Sequence, residues 1–133
     1  MKKIILLFLL PLLFIACQGE HERPTDALET AREFIRSSLD GDYDWARELM
    51  LKDSSNVYIL QRLEKNYNSV INDTEKAEFK KSSIIVHSVD NASDSVVIVN
   101  YSNSYKNKPL PLKVVKKDGL WQVDLNYTFT GNL

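Results

Sequence analysis

The sequence predicts an α+β domain in which three N-terminal helices pack on one face of a curved antiparallel sheet of about four strands. A change of pattern along the chain supports this fold. Apolar residues recur every three or four positions over residues 25–81, as in amphipathic helices, and from Ser83 onward they follow the pattern of strands. The pair Asp118-Gly119, which lies between two alternating segments, is typical of a tight hairpin. Helices followed by a meander of strands indicate the α+β class.

The first residues have the layout of a bacterial lipoprotein signal. Lys2 and Lys3 precede an apolar run over residues 4–15, and Ala16 lies directly before Cys17, the single cysteine of the chain. The run is shorter than the roughly 20 residues that a membrane-spanning helix needs. We therefore expect residues 1–16 to be a cleaved signal peptide. An ordinary signal peptide with an incidental cysteine is the alternative, and it leaves an exported thiol without a partner.

Acylation of Cys17 would give the mature protein a membrane anchor. Two or more acyl chains, such as palmitate, hold a protein stably on a bilayer that it does not span. Phe14 lies three residues before the cysteine, where similar signals usually have leucine. The prediction is a lipid-anchored protein of the bacterial cell envelope, on its periplasmic or surface face, with the choice of inner or outer membrane left open.

The rest of the chain is predicted to form one domain over residues 25–133, joined to the anchor by a flexible tether over residues 17–24. The tether contains consecutive Glu20, His21 and Glu22, but these side chains cannot converge on a metal ion without ordering a flexible segment. Removing residues 1–16 takes away two of the 17 basic residues and none of the 18 acidic ones. The mature chain is therefore slightly acidic without long runs of like charge, which argues against a nucleic-acid partner.

Three helices are predicted before the strands, with a fourth, short and exposed helical segment over residues 73–81. Asp26 and Glu29 have the spacing of a capping box at the start of the first helix. Gly41 can take the left-handed conformation that ends this helix, and Asp42 can cap the second, so the two helices should meet at a tight corner. The third helix follows a polar break at residues 52–56. The apolar residues that define the three helices are Leu28, Ala31, Phe34, Ile35, Leu39, Trp45, Ala46, Leu49, Met50, Val57, Leu60, Leu63 and Tyr67.

The strand half begins with an apolar stretch over residues 84–89, followed by a polar turn at residues 90–94. A β-branched run over residues 96–99 then continues to Tyr101, and a further alternating strand leads into the Asp118-Gly119 turn. After that turn the residues alternate again, so the last strand should have an apolar face and a polar face. The apolar face should hold Trp121, Val123, Leu125 and Tyr127, and the polar face Gln122, Asp124 and Asn126.

Two segments resemble a known superfamily. The helix corner at residues 39–46 reads LDGDYDWA, and the hairpin at residues 117–124 reads KDGLWQVD. Both are similar to recurrent features of the nuclear transport factor 2-like superfamily, which has a cystatin-like cone, and in particular to its small bacterial lipoproteins of unknown function. The resemblance covers residues 25–127. It implies a cone in which a bent antiparallel sheet wraps three helices around an interior pocket, and it implies no single activity, because that superfamily mixes enzymes, binding subunits and scaffolds.

Two polar residues of the strands are candidates for acid–base catalysis, but the pattern favours structural roles. Asp124 should point to solvent if Trp121 and Val123 face the core. His87 lies in a strand with apolar residues on both faces, and we favour a hydrogen-bonded structural histidine over a general base. The sequence contains no nucleophile motif, phosphate-binding glycine loop or metal-ligand spacing. We therefore expect no catalytic residue, no cofactor and no metal site.

The candidate pocket residues are Trp121, Tyr101, His87 and Tyr127. Aromatic rings with polar tips in the strand half could line an apolar cavity that suits a small amphipathic ligand. Such rings more often simply fill the core, so the pocket is the functional alternative to a structural role.

A lysine-rich segment over residues 105–117 includes Pro109 and Pro111. Lysine and proline both protect an exposed strand from pairing with another molecule, so we expect an edge strand with one side unpaired. Contact with an anionic lipid surface or an acidic protein is the alternative.

These observations favour a non-catalytic binding or interaction module, anchored to the envelope membrane and taking a small apolar ligand or an envelope protein. The first alternative is a small hydrolase or isomerase that uses the cone pocket, which would need a buried acid or base with a shifted pKa. The second is a structural partner in an envelope assembly, which would need an exposed apolar patch.

Overall fold

A computed structural model describes residues 20–130, and these residues form an α+β fold, as predicted. The signal peptide predicted at residues 1–16 and the lipidation predicted at Cys17 lie outside the described residues. Within residues 20–130 no helix has the length and apolar character needed to cross a membrane. The helices are α1 (Ala27–Asp40), α2 (Tyr43–Glu48), α3 (Ser54–Ser69), α4 (Asp73–Lys81) and α5 (Leu125–Phe129), and the strands are β1 (Ile84–Ser93), β2 (Val96–Asn103), β3 (Leu110–Lys117) and β4 (Leu120–Asp124).

Short polar side chains begin the first four helices. Asp26, Asp42, Asp53 and Asn72 each accept a hydrogen bond from the backbone N–H three residues later, which satisfies a donor that has no partner within the helix. Gly41 ends α1 with φ of 78°, in the left-handed region, and its N–H contacts the last carbonyls of that helix. The predicted corner between α1 and α2 is therefore confirmed.

The four strands form one antiparallel sheet in the order β1-β2-β3-β4. One face of the sheet is buried under the helices, and the alternation along each strand decides which side chains enter the core. These core residues are Val97 and Val99 of β2, Leu112 and Val114 of β3, and Val123 of β4, against Ala31, Phe34 and Ile35 of α1. Trp121 lies on the same face and is half-buried, so the predicted facing of β4 is confirmed as far as Val123.

The last predicted strand is wrong beyond Asp124. The alternating pattern continues to Tyr127, but β4 ends at Asp124 and the chain turns into α5. The Asp124 carboxylate accepts the N–H of Asn126, so a residue assigned to the polar face of a strand acts instead as a helix cap. Consequently the helices are not all N-terminal, and Tyr127 lies in α5 rather than on the sheet.

The lysine-rich segment was expected to form an edge strand, but its strand β3 lies inside the sheet. β3 pairs with β2 from Leu110 to Val115 and with β4 from Lys113 to Lys117. Its first residues extend past the end of β4, and Pro111, which has no N–H, lies there. The hydroxyl of Thr128 in α5 donates to the carbonyl oxygen of Pro111. The unpaired side that the prolines suggested is thus covered by α5.

The turn predicted at residues 90–94 is also shorter than expected. Residues 90, 91 and 93 pair with residues of β2, so β1 runs to Ser93 and forms a long hairpin with β2. Irregularities in the pairing lie between Val86 and Ser88 and between Asn91 and Ser93. The tight turn at Asp118 and Gly119 is confirmed: both residues have positive φ, 53° and 77°, and Lys117 pairs with Leu120.

Candidate binding groove

A groove of about 390 Å³ lies between the start of α1, the β1-β2 hairpin and Trp121. We call it the Trp121 groove. Its apolar lining comes from Ala27 and Leu28 of α1, Val89 and Val97 of the hairpin, and Trp121 of β4. Val97 and Ala27 are buried, whereas the Val89 side chain is exposed. The groove therefore extends from the core to the surface.

The register of the sheet places Trp121 in this groove. Trp121 lies opposite Lys116 across the β3-β4 hairpin, and the Lys116 Nζ is 5.9 Å from the centroid of a Trp121 ring. The backbone oxygen of Trp121 accepts a hydrogen bond of 3.2 Å from the Arg23 guanidinium. The length of the tight turn at Asp118 and Gly119 sets this register. A shift by one residue would turn Trp121 to the opposite face of the sheet.

The polar part of the lining comes from Asp26 and Asp94, with Asn91 and Ser93 beside them. Asp26 already accepts the N–H of Glu29 as the cap of α1. With an ammonium group at Lys116 and carboxylates at Asp26 and Asp94, the groove offers an apolar surface bordered by charges of both signs. Such a lining suits a small amphipathic molecule whose apolar part contacts Trp121 and whose polar group stays at the surface.

Of the four residues that the sequence suggested for a pocket, the lining of this groove includes only Trp121. Tyr101 pairs with Val86 and Leu110 and packs against the core, and burial raises its pKa to about 12. His87 lies at an irregularity of β1, is exposed, and its Nε2 is 2.8 Å from the Ser102 hydroxyl. Tyr127 lies in α5. The structure does not bring these three residues to Trp121.

A buried polar cluster around Asn56 is a feature that the sequence reasoning missed. The Asn56 amide nitrogen donates to Asp53 at 2.7 Å and to Asp124 at 3.3 Å, and its oxygen accepts the N–H of Leu125 at 2.7 Å. The backbone N–H of Asn56 is the main cause of the lowered pKa of Asp53. The cluster joins the start of α3 to the start of α5. Asn56 lies four residues before Leu60 on the apolar stripe of α3. A polar residue on that stripe is the sequence feature that could have predicted a buried hydrogen-bonded cluster.

Asp124 faces away from Val123, as the alternation predicted, but it is not free in solvent. Its side chain is only 17% exposed and lies 3.7 Å from the Lys113 Nζ. Together with its bonds to Asn56 and Asn126, this accounts for Asp124 as a structural carboxylate. Within residues 20–130 no group of three His, Cys, Asp or Glu side chains is placed to hold a metal ion.

The segment before α1 contacts the domain. The His21 ring stacks on the Trp45 ring, with centroids 4.7 Å apart and an angle of 7°, and its Nε2 lies 3.0 Å from an Asp42 carboxylate oxygen. The Arg23 guanidinium donates to the backbone oxygen of Glu48 at 2.7 Å as well as to that of Trp121. Residues assigned to the tether from their sequence thus make defined contacts with the domain, and the Arg23 contact lies beside the Trp121 groove.

Comparison with known proteins gives no relative: no family model matches the chain, and neither the curated proteins nor the solved structures contain a significant match.

Proposed function

We propose that the protein is a lipid-anchored module of the bacterial envelope that binds a small apolar or amphipathic molecule in the Trp121 groove without transforming it. The single observation that supports this function best is the groove itself. Its volume of about 390 Å³ falls within the range of small-molecule sites, roughly 300 to 1,000 Å³, and it combines an apolar lining with a few polar groups. We also propose that the domain is a cone of the nuclear transport factor 2-like type. The helices that cover one face of the sheet next to the groove support this.

The anchor in this proposal is an acylated Cys17, supported by the signal-like residues before it. A labelled fatty acid supplied to cells that make the protein should appear in the wild-type chain and be absent from Cys17→Ser. The Cys17→Ser variant should also keep residues 1–16. Equal labelling of the two chains would exclude this anchor.

The groove can be tested by filling it. Leu28 lines the groove and is half-buried, so Leu28→Trp should occupy part of its volume. Leu120→Trp is the matched control, since Leu120 is exposed and does not line the groove. The full chain, purified in mild detergent from the cells that make it, is weighed by native mass spectrometry before and after denaturing extraction.

A small mass retained by the wild type and by Leu120→Trp, and lost from Leu28→Trp, is the expected result. A mass retained equally by all three chains would place the ligand outside the groove. Hydrolysis or isomerisation by the purified protein that His87→Ala or Asp124→Asn abolishes, in a variant that keeps the wild-type melting temperature, would replace the binding module with the enzyme alternative.

A further inference from the structure

A second groove runs along the outer side of α3. It consists of two hollows of about 510 and 630 Å³ that share Tyr58, Arg62 and Asn66. One hollow continues to Val70 at the end of α3, and the other continues to Phe129 of α5. We call the pair the α3 groove. It has no lining residue in common with the Trp121 groove.

The α3 groove concentrates exposed apolar surface. Six large apolar side chains are exposed within residues 20–130, and three of them line this groove: Tyr58 at 59%, Val70 at 71% and Phe129 at 48%. Scattered exposed apolar residues are ordinary on a protein surface, whereas several that line adjoining hollows are typical of a contact site. Tyr58 lines both hollows, Val70 lines one and Phe129 lines the other. An exposed apolar patch is what the structural-partner alternative requires, and the structure has these exposed residues beside α3 and α5.

The charges of the α3 groove select the kind of partner. Arg62 and Lys65 supply positive charge, the Arg62 guanidinium lies 5.9 Å from the centroid of the Tyr58 ring, and none of the lining residues is a carboxylate. A second copy of the chain, docked through the same groove, would bring four cations together without an acid between them. The complementary partner is therefore acidic.

The dimensions favour a helical partner. The lining residues on α3 and at its C-cap extend from Ser55 to Val70, a length of about 22 Å at 1.5 Å per residue. Arg62 and Lys65 are three residues apart, so their side chains lie one turn apart on the same side of α3. Carboxylates spaced by one turn on a facing helix would match them, while its apolar side chains would enter the two hollows.

We propose that the α3 groove docks an amphipathic helix of a partner protein, with apolar residues toward Tyr58 and Phe129 and carboxylates toward Arg62 and Lys65. This interaction does not depend on the ligand of the Trp121 groove. An anionic lipid surface has the same charge but not the helical spacing, and the experiment below separates the two.

The test uses the full chain in the cells that make it. A photo-crosslinking amino acid replaces Gln61, which lines the α3 groove and leaves its apolar residues intact, and in a control chain it replaces Asp90, which is exposed on β1. The Gln61 position is then combined with Arg62→Glu and Lys65→Glu. The matched charge control is Lys80→Glu with Lys81→Glu, because both of these lysines are exposed on α4.

The expected result is a discrete protein adduct at Gln61 and none at Asp90. The crosslinked peptide of the partner should contain apolar residues three or four apart together with acidic residues. Reversal of Arg62 and Lys65 should lower the yield of the adduct about tenfold or more, whereas reversal of Lys80 and Lys81 should leave it unchanged. Replacing the acidic residues of the partner peptide with lysine should restore the adduct to the reversed chain.

Several outcomes would overturn the proposal. They are no adduct at Gln61, an adduct only with lipid, an adduct only with a second copy of the chain, and a protein adduct whose yield does not respond to the charges of Arg62 and Lys65. Because Arg62 and Lys65 are exposed, the variants should keep the wild-type melting temperature, and a measured melt confirms that each variant is folded.

Discussion

Gly41→Ala tests the corner between α1 and α2, where two separate costs coincide. Gly41 has φ of 78°, and an L-residue with a β-carbon in this left-handed conformation costs about 1–2 kcal/mol. A β-carbon at Gly41 would also lie 2.5 Å from Cε1 and 2.8 Å from Cζ of the Tyr67 ring. These separations are far inside van der Waals contact, so the ring or the backbone must move.

The Tyr67 ring has little room to move. It is buried, its centroid is 5.7 Å from that of the Tyr43 ring, and the Lys76 Nζ lies 5.1 Å from it on another element. Forcing a group into a filled core site typically costs about 1–3 kcal/mol. We therefore expect Gly41→Ala to lower the free energy of unfolding by about 2–5 kcal/mol in total.

Gly119→Ala is the matched control. Gly119 has nearly the same φ, 77°, but no atom lies within 4 Å of the position where its β-carbon would be. It should therefore show only the backbone cost, about 1–2 kcal/mol. Urea unfolding followed by tryptophan fluorescence measures both variants, and similar slopes against urea would show that the native and unfolded states stay comparable.

The difference between the two glycine variants isolates the contact with Tyr67. Tyr67→Leu removes the ring atoms that meet the new β-carbon. In that background the cost of Gly41→Ala should therefore be smaller than in the wild type by at least about 1 kcal/mol. If Gly41→Ala cost no more than Gly119→Ala, the contact would carry no energy, and the reasoning about Tyr67 would be refuted.

Three further predictions concern buried polar groups and ionisation. Asn56→Ala should lower the free energy of unfolding in urea by about 2–4 kcal/mol, because the N–H of Leu125 loses its acceptor and the Asp53 and Asp124 carboxylates lose a donor. A loss below about 1 kcal/mol would contradict this. Burial raises the pKa of Tyr101 to about 12 from 10.0, so the contribution of Tyr101 to stability is fully present below pH 10 and is lost as the pH rises toward 12. Between pH 8 and 11 the wild type should therefore lose about 1.4 kcal/mol more of its unfolding free energy in urea than Tyr101→Phe loses. Equal losses would contradict this. The Asp53 pKa is lowered, chiefly by the N–H of Asn56, so the contribution of the Asp53 carboxylate to stability is present above pH 3.8 and is lost as the pH falls through the lowered pKa. In a series of melting temperatures against pH, Asp53→Asn should therefore lose less stability in acid than the wild type does. An equal loss in the two chains would exclude this contribution.

The features that the sequence predicted well depend on neighbouring residues. A left-handed glycine ends α1, and Asp26 and Asp42 begin helices because each accepts an N–H three residues later. The hairpin at Asp118 and Gly119 needs only two residues that tolerate positive φ. In each case the chemistry and the geometry lie within a few residues of chain, so the pattern alone was sufficient.

The errors concern contacts between distant parts of the chain. The alternation after Trp121 would suit a strand up to Tyr127, but Asn56 accepts the N–H of Leu125 and Asp124 caps the following residues, so a helix forms. β3, predicted to be an edge strand, is interior because β4 pairs with it from Lys113 to Lys117, and Thr128 of α5 covers the remaining stretch at Pro111. The α3 groove was not predicted for the same reason. Tyr58 and Phe129 are far apart in sequence and line one hollow only because α5 packs beside α3.

The contacts of His21 and Arg23 bring the proposed anchor and the Trp121 groove close together. If residues 18–23 were all free and extended, they would allow about 20–25 Å between the acylated Cys17 and the domain, but His21 stacks on Trp45. Residues 18–20 then separate the anchor from the domain, and the four residue steps from Cys17 to His21 span at most about 14 Å of chain. Arg23 in turn binds the carbonyl oxygen of Trp121, whose side chain lines the groove. In the proposed anchored state the groove would stand close to the bilayer surface, and a membrane amphiphile would cross little water to reach it. Lipid-derived amphiphiles are therefore the first small molecules to test as ligands.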